Sequence, residues 1–317
     1  MGSLKAYLNT MKNEGYIIKP LEVYLLSLNA KDNDRAINVN SPSQASVCNR
    51  ANYYARMGYE NDGSIDPRTR RIFDNGTKTH ERLQEYLLEQ GILISDEVPC
   101  INNEYNIQGH TDGFLCLGNK KETSVTLKGK ILNVKRNYLE YDNVGILEIK
   151  SINSNGFSNL KDAKIEHKQQ AMVYLYCAEE RRKYLQETYK TFEEFLDSEE
   201  DRKKEFTYRY RYMQDGRKFT RDEKIHFQVE LCLKADEVLY CTKKPIKEVV
   251  FLYENKDNQE LKEFVVKRDD DILEQVLNKY EILNNCCEEE TIPEREGTSK
   301  SCMTCRYCNY KSECWVV

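Results

Sequence analysis

The sequence predicts an α/β fold, organised as one large domain with appendages. Its 317 residues are enough for a substantial core. Short apolar segments before Asp112 and around Glu148 are typical of β-strands, and apolar residues elsewhere recur at helical intervals. With 22 Tyr in a chain that is 32% charged, the composition indicates a folded soluble protein and not a disordered one.

The charge pattern argues against a general nucleic-acid-binding surface, because the net charge is -5. Positive charge is local instead. Residues 118–138 contain six Lys or Arg against one Glu, and residues 202–224 contain nine against four acidic residues. Lys128 and Lys130, in a basic hairpin predicted near 118–140, are candidate DNA contacts. The sequence shows no run of 18 apolar residues and no signal peptide, so we expect a cytoplasmic protein without a membrane partner.

The first elements are predicted to be helical. Apolar spacing in residues 1–30 favours two short amphipathic helices. Ser41 and Pro42 are typical of an N-cap and first helical residue, with Gln44 completing a capping box. The helix that they open carries Cys48, Tyr53 and Tyr54.

A third helix is predicted from Asp66–Pro67, a cap followed by a first-turn proline, to Gly91. His80 falls on the face of this helix that meets the core. A lone histidine on such a face is commonly a hydrogen-bonded core residue. Gly76, one turn earlier, would let another element or a substrate backbone approach closely, which favours a functional role for His80.

The candidate active-site residues lie on two predicted strands. Asp112 follows the apolar segment that begins at Tyr105, and Glu148 and Lys150 belong to a second strand. Because side chains alternate along a strand, Glu148 and Lys150 share one face while Leu147 and Ile149 occupy the other. An acid and an amine on one strand, with a second acid nearby, can hold a divalent cation and a water beside a phosphodiester.

A long helix is predicted from Leu160 to Tyr184, followed by an acidic segment at 186–205 with helical tendency. Gln170 and Tyr174 occupy one face of the long helix at i and i+4. Taken alone, this pair is as typical of a surface Gln and a packed Tyr as of a functional site.

Residues 206–212 alternate strictly between aromatic residues, including Tyr210, and a set that contains Arg209 and Arg211. This alternation predicts a β-strand. Its basic face is either solvated or part of a stacking and phosphate-tracking surface for single-stranded nucleic acid. The elements predicted after it are strands around 225–240, 247–254 and 261–267 and a helix from Asp269 to Leu283.

Cysteine usage indicates metal chemistry near the C-terminus. Of the 12 cysteines, Cys305, Cys308 and Cys314 have the compact spacing C-x2-C-x5-C, which can direct three thiolates at one metal centre. On spacing alone, either Cys302 or a remote cysteine could supply a fourth ligand. Most other cysteines need no role beyond that of small core residues.

Together these patterns resemble the RecB-like nucleases of the PD-(D/E)XK superfamily that carry an iron-sulfur cluster, which include AddB-type and CRISPR-associated exonucleases. The resemblance rests on motif order over residues 41–314. That order is Cys48, Gly76-x3-His80, Gly109-x2-Asp112, Glu148-x-Lys150, Gln170-x3-Tyr174, then Cys305, Cys308 and Cys314. Two departures are a long segment between Asp112 and Glu148, which implies an inserted hairpin, and the extra thiol of Cys302.

The resemblance implies a restriction-endonuclease-like core with a mixed central sheet flanked by helices. It implies the nuclease core at 41–290 and an iron-sulfur knuckle at 291–317 that closes onto Cys48. Residues 1–40, predicted from their apolar spacing to be a helical extension, lie outside the resemblance. The expected cofactors are a [4Fe-4S] cluster, with Cys48 as the fourth ligand, and Mn²⁺ or Mg²⁺. A histidine ligand favours Mn²⁺.

In the chemistry implied by the resemblance, His80, Asp112, Glu148 and the Ile149 carbonyl bind the divalent ion. Lys150 orients or deprotonates a water, and Gln170 and Tyr174 position the site or the strand. The expected function is metal-dependent exonucleolytic cleavage of single-stranded DNA or DNA ends in recombination, repair, phage replication or CRISPR adaptation. A protein partner in a recombination or adaptation complex fits this role. Two alternatives are a catalytically silent nucleic-acid-binding module and a zinc-stabilised interaction protein.

Overall fold

A computed structural model describes residues 16–30, 38–61, 65–127, 133–213 and 222–315 of the chain. Part of the predicted N-terminal helical region, together with Lys128 and Lys130, lies outside these residues. None of the helices within them has the length and apolar character that crossing a membrane requires.

In the described residues, three α-helices are followed by five strands, five α-helices, two strands and three α-helices. The strands are β1 (Leu93–Asn102), β2 (Ile107–Cys116), β3 (Lys120–Leu127), β4 (Val134–Tyr141), β5 (Val144–Ile152), β6 (Glu248–Asn255) and β7 (Leu261–Lys267). The helices are α1 (Ile18–Ser27), α2 (Asn49–Arg56), α3 (Pro67–Glu89), α4 (Ser154–Asn159), α5 (Ile165–Thr188), α6 (Phe192–Asp197), α7 (Glu199–Tyr208), α8 (Asp222–Tyr240), α9 (Asp270–Glu288), α10 (Met303–Arg306) and α11 (Lys311–Cys314).

The central sheet is mixed, with the strand order β1-β2-β5-β6-β7. Its neighbouring strands are antiparallel except β5 and β6, which run parallel. Parallel neighbours need a long crossover, and helices α4 to α8 lie between these two strands in sequence. The fold is therefore α/β with a mixed central sheet flanked by helices, as the sequence and its resemblance predict.

Helices cover both faces of the sheet. On one face Leu83 of α3 packs with Leu147 and Ile149 of β5. On the other, Ile146 of β5 belongs to the larger core formed with α5, α8 and α9. This alternation confirms that Leu147 and Ile149 share a face and directs Glu148 and Lys150 toward α5.

The predicted basic hairpin is confirmed as β3 and β4, which form a separate two-stranded sheet. It is held by Tyr138, whose ring stacks on Phe192 at 3.8 Å between centroids. Part of its charge is paired within the protein: Arg136 contacts Glu237 at 2.8 Å, and Lys120 donates to the Gly91 carbonyl at 3.3 Å. One positive charge of the hairpin, that of Arg136, is therefore balanced by an acid outside the hairpin.

Helix boundaries agree with the sequence at α3 but not at α2. Asp66 caps α3 by accepting from the backbone N–H groups of its first turn, and Gly91 adopts a φ of 69° just after its end. The predicted capping box at Ser41 is wrong. Ser41 contacts Ser43 instead, only a single 3₁₀ turn follows, and α2 begins later at Asn49.

Two predicted strands are wrong because these segments are helical. Residues 206–208 end α7, and Arg209–Met213 continue it as a π-helical turn. Phe206 and Tyr210, four residues apart, pack against α8, which occupies the region around 225–240 that we predicted to be a strand. The predicted strands around 247–254 and 261–267 are confirmed as β6 and β7, and the last long helix as α9.

Candidate active site

The candidate site forms where β2 and β5 separate. The pairing between these strands ends at Gly113 and Leu147. Beyond that point side chains of β2 replace the ladder: the Thr111 hydroxyl donates to the Leu147 carbonyl at 2.9 Å, and Asp112 Oδ2 accepts from the Ile149 N–H at 2.5 Å. Buried backbone groups need hydrogen-bond partners, and here side chains of β2 supply them in place of its backbone. These bonds hold Asp112 in the gap between β2 and β5, which we call the fork.

His80 reaches the fork from α3. Its Nδ1 lies 3.0 Å from Asp112 Oδ1, while Gln84, one turn later on α3, donates to the Asp112 carbonyl at 2.8 Å. Burial alone would lower the pKa of His80, but the hydrogen bond and charge of Asp112 outweigh it, so that the pKa is raised. The structure thus places His80 against a carboxylate and not among apolar core residues.

Glu148 is a buried acid, 3% exposed, that pairs with Lys150 Nζ at 2.5 Å. Its pKa is raised to about 7, first because burial penalises the charged carboxylate and second because Asp112 is a like charge; Lys150 opposes both effects. Two carboxylates that disfavour each other's charge create a site that a cation would stabilise.

A chain of hydrogen bonds supports Lys150 from α5. Lys150 Nζ donates to Gln170 Oε1 at 3.1 Å, and Gln170 Nε2 donates to the Tyr174 hydroxyl at 2.7 Å. Gln170 and Tyr174 are both buried, and burial raises the pKa of Tyr174 well above its ordinary value, so that its hydroxyl stays neutral. The i, i+4 pair of the sequence therefore serves to position the amine.

Gly76 opens space beside this cluster. A Cβ built at this position would meet only one atom within 4 Å in the described part of the chain, the Ser151 Oγ at 3.8 Å. Glycine in a helix interior costs about 1 kcal/mol relative to alanine. Packing within the protein therefore does not require a glycine at this position. The space beside Gly76 is open to a substrate.

The donor set fits a hard or borderline divalent cation, since it combines two carboxylates with an imidazole. In the described residues, however, no three His, Cys, Asp or Glu side chains are already arranged as a metal-ligand group. Glu148 is turned to Lys150, and Asp112 to His80 and the Ile149 N–H. Cation binding would exchange some of these internal contacts for metal contacts.

The cysteine motif forms a second candidate centre. Cys48, at the N-cap of α2, lines one small cavity together with Cys305, Cys308 and Cys314. All 12 cysteines lie in the described residues and are free thiols. Cys302 is not among the cavity's lining residues, but its thiol is hydrogen-bonded to that of Cys305.

Contacts from α2 to the C-terminal segment support this arrangement. The Asn49 N–H donates to Glu296 Oε1 at 2.8 Å, and the Asn49 side chain donates to the Lys279 carbonyl at 2.9 Å. Gly297 approaches two of the thiols, since a Cβ there would lie 2.2 Å from Cys305 Sγ and 3.1 Å from Cys302 Sγ. The four thiols that line this cavity are the side chains that a thiolate-held centre would use, although in the described residues they are not already arranged as a metal-ligand group.

The predicted nucleic-acid contacts at Arg209 and Tyr210 are wrong. Tyr210 is 1% exposed, and Arg209 is 4% exposed and donates to Asn103 and to the Ile107 carbonyl. Burial lowers the pKa of Arg209. Because the segment is helical, Arg209 turns inward, whereas Arg211 is exposed and stays a predicted contact.

Three residues in or beside the site were not predicted from the sequence. Gln84 could have been found because it follows His80 by one helical turn, and Thr111 because it precedes Asp112. His167 likewise precedes Gln170 by three residues on α5, so that both lie on one face. Its Nδ1 lies 2.7 Å from the Tyr253 hydroxyl.

Comparisons with known proteins add little to this geometry. No protein-family model matches the chain, and no curated protein matches it. Among solved structures, the chain is similar to the crystal structure of SSO0001, with 12% identity, 96% of this chain and 98% of that chain covered, and a TM-score of 0.37. At that TM-score the similarity carries no argument.

Proposed function

We propose that this protein is a metal-dependent deoxyribonuclease of the RecB-like type, with a restriction-endonuclease-like core. The observation that carries the proposal is the fork between β2 and β5, where Asp112 and Glu148 lie with Lys150 within 2.5 Å of Glu148. A buried acid with a raised pKa beside a second acid is unfavourable for the protein alone and favours cation binding.

His80, Asp112, Glu148 and the Ile149 carbonyl would hold Mn²⁺ or Mg²⁺. A divalent ion bound there supplies Lewis-acid polarisation of a phosphate and lowers the pKa of a bound water. Lys150, held by Gln170 at 3.1 Å, would orient a water at this site or take part in its deprotonation. His80 shares Asp112 with the Ile149 N–H and thereby fixes the orientation of the carboxylate.

Cys48, Cys305, Cys308 and Cys314 would hold a [4Fe-4S] cluster with a structural role. A cluster held by these residues would close most of the chain into one loop, because Cys48 and Cys305 lie near opposite ends of the sequence. The cavity that these four cysteines line and the contacts of Asn49, next to Cys48, support this set of ligands.

The proposed substrate is DNA, as single strands or ends, and the proposed reaction is exonucleolytic. The test is incubation of the purified protein with Mn²⁺ and end-labelled linear DNA, with end-blocked and circular DNA as matched substrates. We expect linear DNA alone to be degraded. Cleavage of circular DNA would show that the protein is an endonuclease. Binding of DNA without cleavage would support the alternative of a catalytically silent nucleic-acid-binding module.

A further inference from the structure

His167 lies beside the candidate active site, although the mechanism above gives it no part. Gln170, which accepts from Lys150, is three residues further along α5 and so on the same helix face. The imidazole lies nearly parallel to the rings of Phe251 and Tyr253 on β6, at 6.5 and 5.7 Å between centroids. The β6 residues in register with Glu148 and Lys150 are these same two aromatic residues.

The hydrogen bonds around His167 favour one tautomer. The backbone N–H of Lys164 donates to the Tyr253 hydroxyl oxygen at 3.3 Å. The hydroxyl's own proton is then available to His167 Nδ1, 2.7 Å away. We assign Nδ1 as the acceptor of this proton, and the neutral ring then carries its own proton on Nε2.

The charge environment keeps this ring neutral. The pKa of His167 is lowered to about 3, first by burial and then by the positive charges of Lys150 and Lys164. The imidazole is only partly buried, and its Nε2 has no hydrogen-bond partner among the described residues. In the assigned tautomer the ring presents a neutral N–H donor within the electrostatic reach of Lys150.

Packing alone does not account for this arrangement. A phenylalanine could lie over Phe251 and Tyr253 equally well, yet the Tyr253 hydroxyl holds the histidine ring in one orientation. A donor of this kind suits a phosphate oxygen, because it adds a hydrogen bond to an anion without placing another positive charge beside Lys150.

We propose that His167 is a substrate-binding residue whose Nε2–H donates to a non-bridging phosphate oxygen of a DNA strand lying along Glu148 and Lys150. This inference rests on the proposed function. It goes beyond it by assigning a phosphate contact to a side chain outside the metal-binding set and outside the Gln170 and Tyr174 pair.

The test compares His167→Phe, which keeps the packing and removes the N–H, with His167→Gln, whose amide can donate from a similar position. With Mn²⁺ and an end-labelled single-stranded oligonucleotide, we expect His167→Phe to lose about 10- to 100-fold in kcat/KM, the effect of one hydrogen bond to a charged acceptor. His167→Gln should recover most of this loss, and both variants should melt close to the wild type.

Phosphorothioate oligonucleotides separate a phosphate contact from a structural effect. Sulfur accepts hydrogen bonds poorly, so the wild type should cleave one diastereomer more slowly than the all-oxygen strand, and His167→Phe should show no such further loss. Equal cleavage by the wild type and His167→Phe, or an unchanged phosphorothioate effect in the variant, would overturn the assignment of His167 alone. If the wild type is as inactive as Glu148→Ala, the proposed function fails and His167 with it.

Discussion

Replacing Glu148 by Gln should make the metal-free protein more stable at neutral and alkaline pH. The pKa of Glu148 is raised from 4.5 to about 7 in the folded state. Between these two values the folded state binds more protons than the unfolded state, so stability falls as pH rises. The amide of Gln keeps an acceptor for Lys150 but carries no charge, and so avoids this loss.

The magnitude follows from the two pKa values. The difference between 4.5 and about 7, at about 1.4 kcal/mol per pH unit, gives about 3 kcal/mol of extra stability for Glu148→Gln above pH 7. The corresponding rise in Tm is on the order of 5 °C. Near pH 4.5 the stabilisation should vanish, because Glu148 is then protonated in the folded state.

The assay is thermal and urea unfolding in EDTA at several pH values, with Glu179→Gln as the matched control. Glu179 is also a buried acid, but despite burial its pKa is lowered by hydrogen bonds from Arg182 and the Ile246 N–H. Glu179→Gln should therefore destabilise the protein at pH 8. If Glu148→Gln also destabilises it, or if its effect is the same at pH 5 and pH 8, the account of Glu148 as an electrostatically unfavourable acid is wrong.

Manganese should stabilise the wild type more than it stabilises Glu148→Gln. A ligand that binds only the folded state stabilises it, and removing a charged ligand weakens that binding. At pH 8 the wild type should gain more Tm on Mn²⁺ addition than Glu148→Gln. Equal gains would show that Glu148 does not contact the ion.

Three further predictions address the rest of the account. Cys48→Ser should lose the broad absorption of an iron-sulfur centre and become sensitive to proteases at both ends, whereas Cys302→Ser should keep its colour; the reverse pattern would show a local C-terminal centre. Gly76→Ala should leave Tm unchanged or slightly higher, because its Cβ meets only Ser151 Oγ at 3.8 Å, yet slow DNA cleavage if a strand passes there; unchanged cleavage rates would remove the substrate from this helix. Arg209→Ala should destabilise the protein by about 3 kcal/mol, since buried acceptors lose their donor, and leave the salt dependence of DNA binding unchanged; a lower salt slope without loss of stability would restore the original prediction for this residue.

The sequence predicts the elements that hold the site because their patterns are local and unambiguous. Alternation in β5 correctly separates Glu148 and Lys150 from their apolar neighbours, and i, i+4 spacing pairs Gln170 with Tyr174. Asp66 caps α3 and so positions His80. Each of these inferences depends on residues only a few positions apart.

The strand prediction for residues 206–212 was wrong because the same sequence pattern fits both the two-residue period of a strand and the spacing of a helix. Aromatic residues at every second position between 206 and 212 also place Phe206 and Tyr210 four residues apart. The acidic residues before them favour a helix N-terminus, and the helix that they begin continues through this segment. Packing of Phe206 and Tyr210 against α8 then stabilises the helical conformation and buries Arg209.

The fork at Asp112 could not be predicted, because it depends on where the pairing between two strands ends. A carboxylate that accepts from the Ile149 N–H in place of a ladder carbonyl is a tertiary feature with no local sequence pattern. The same holds for His167, whose Nδ1 pairs with the hydroxyl of Tyr253 on a strand 86 residues away.

The most direct test of the central claim is DNA cleavage by Lys150→Ala and Glu148→Ala, each compared with the wild type at matched metal, protein and cluster absorption. We predict that Mn²⁺-dependent cleavage of end-labelled DNA falls by at least about 100-fold in Lys150→Ala and further in Glu148→Ala, with both proteins folded. Cleavage at the wild-type rate by either variant would contradict the assignment of the fork between β2 and β5 as the active site.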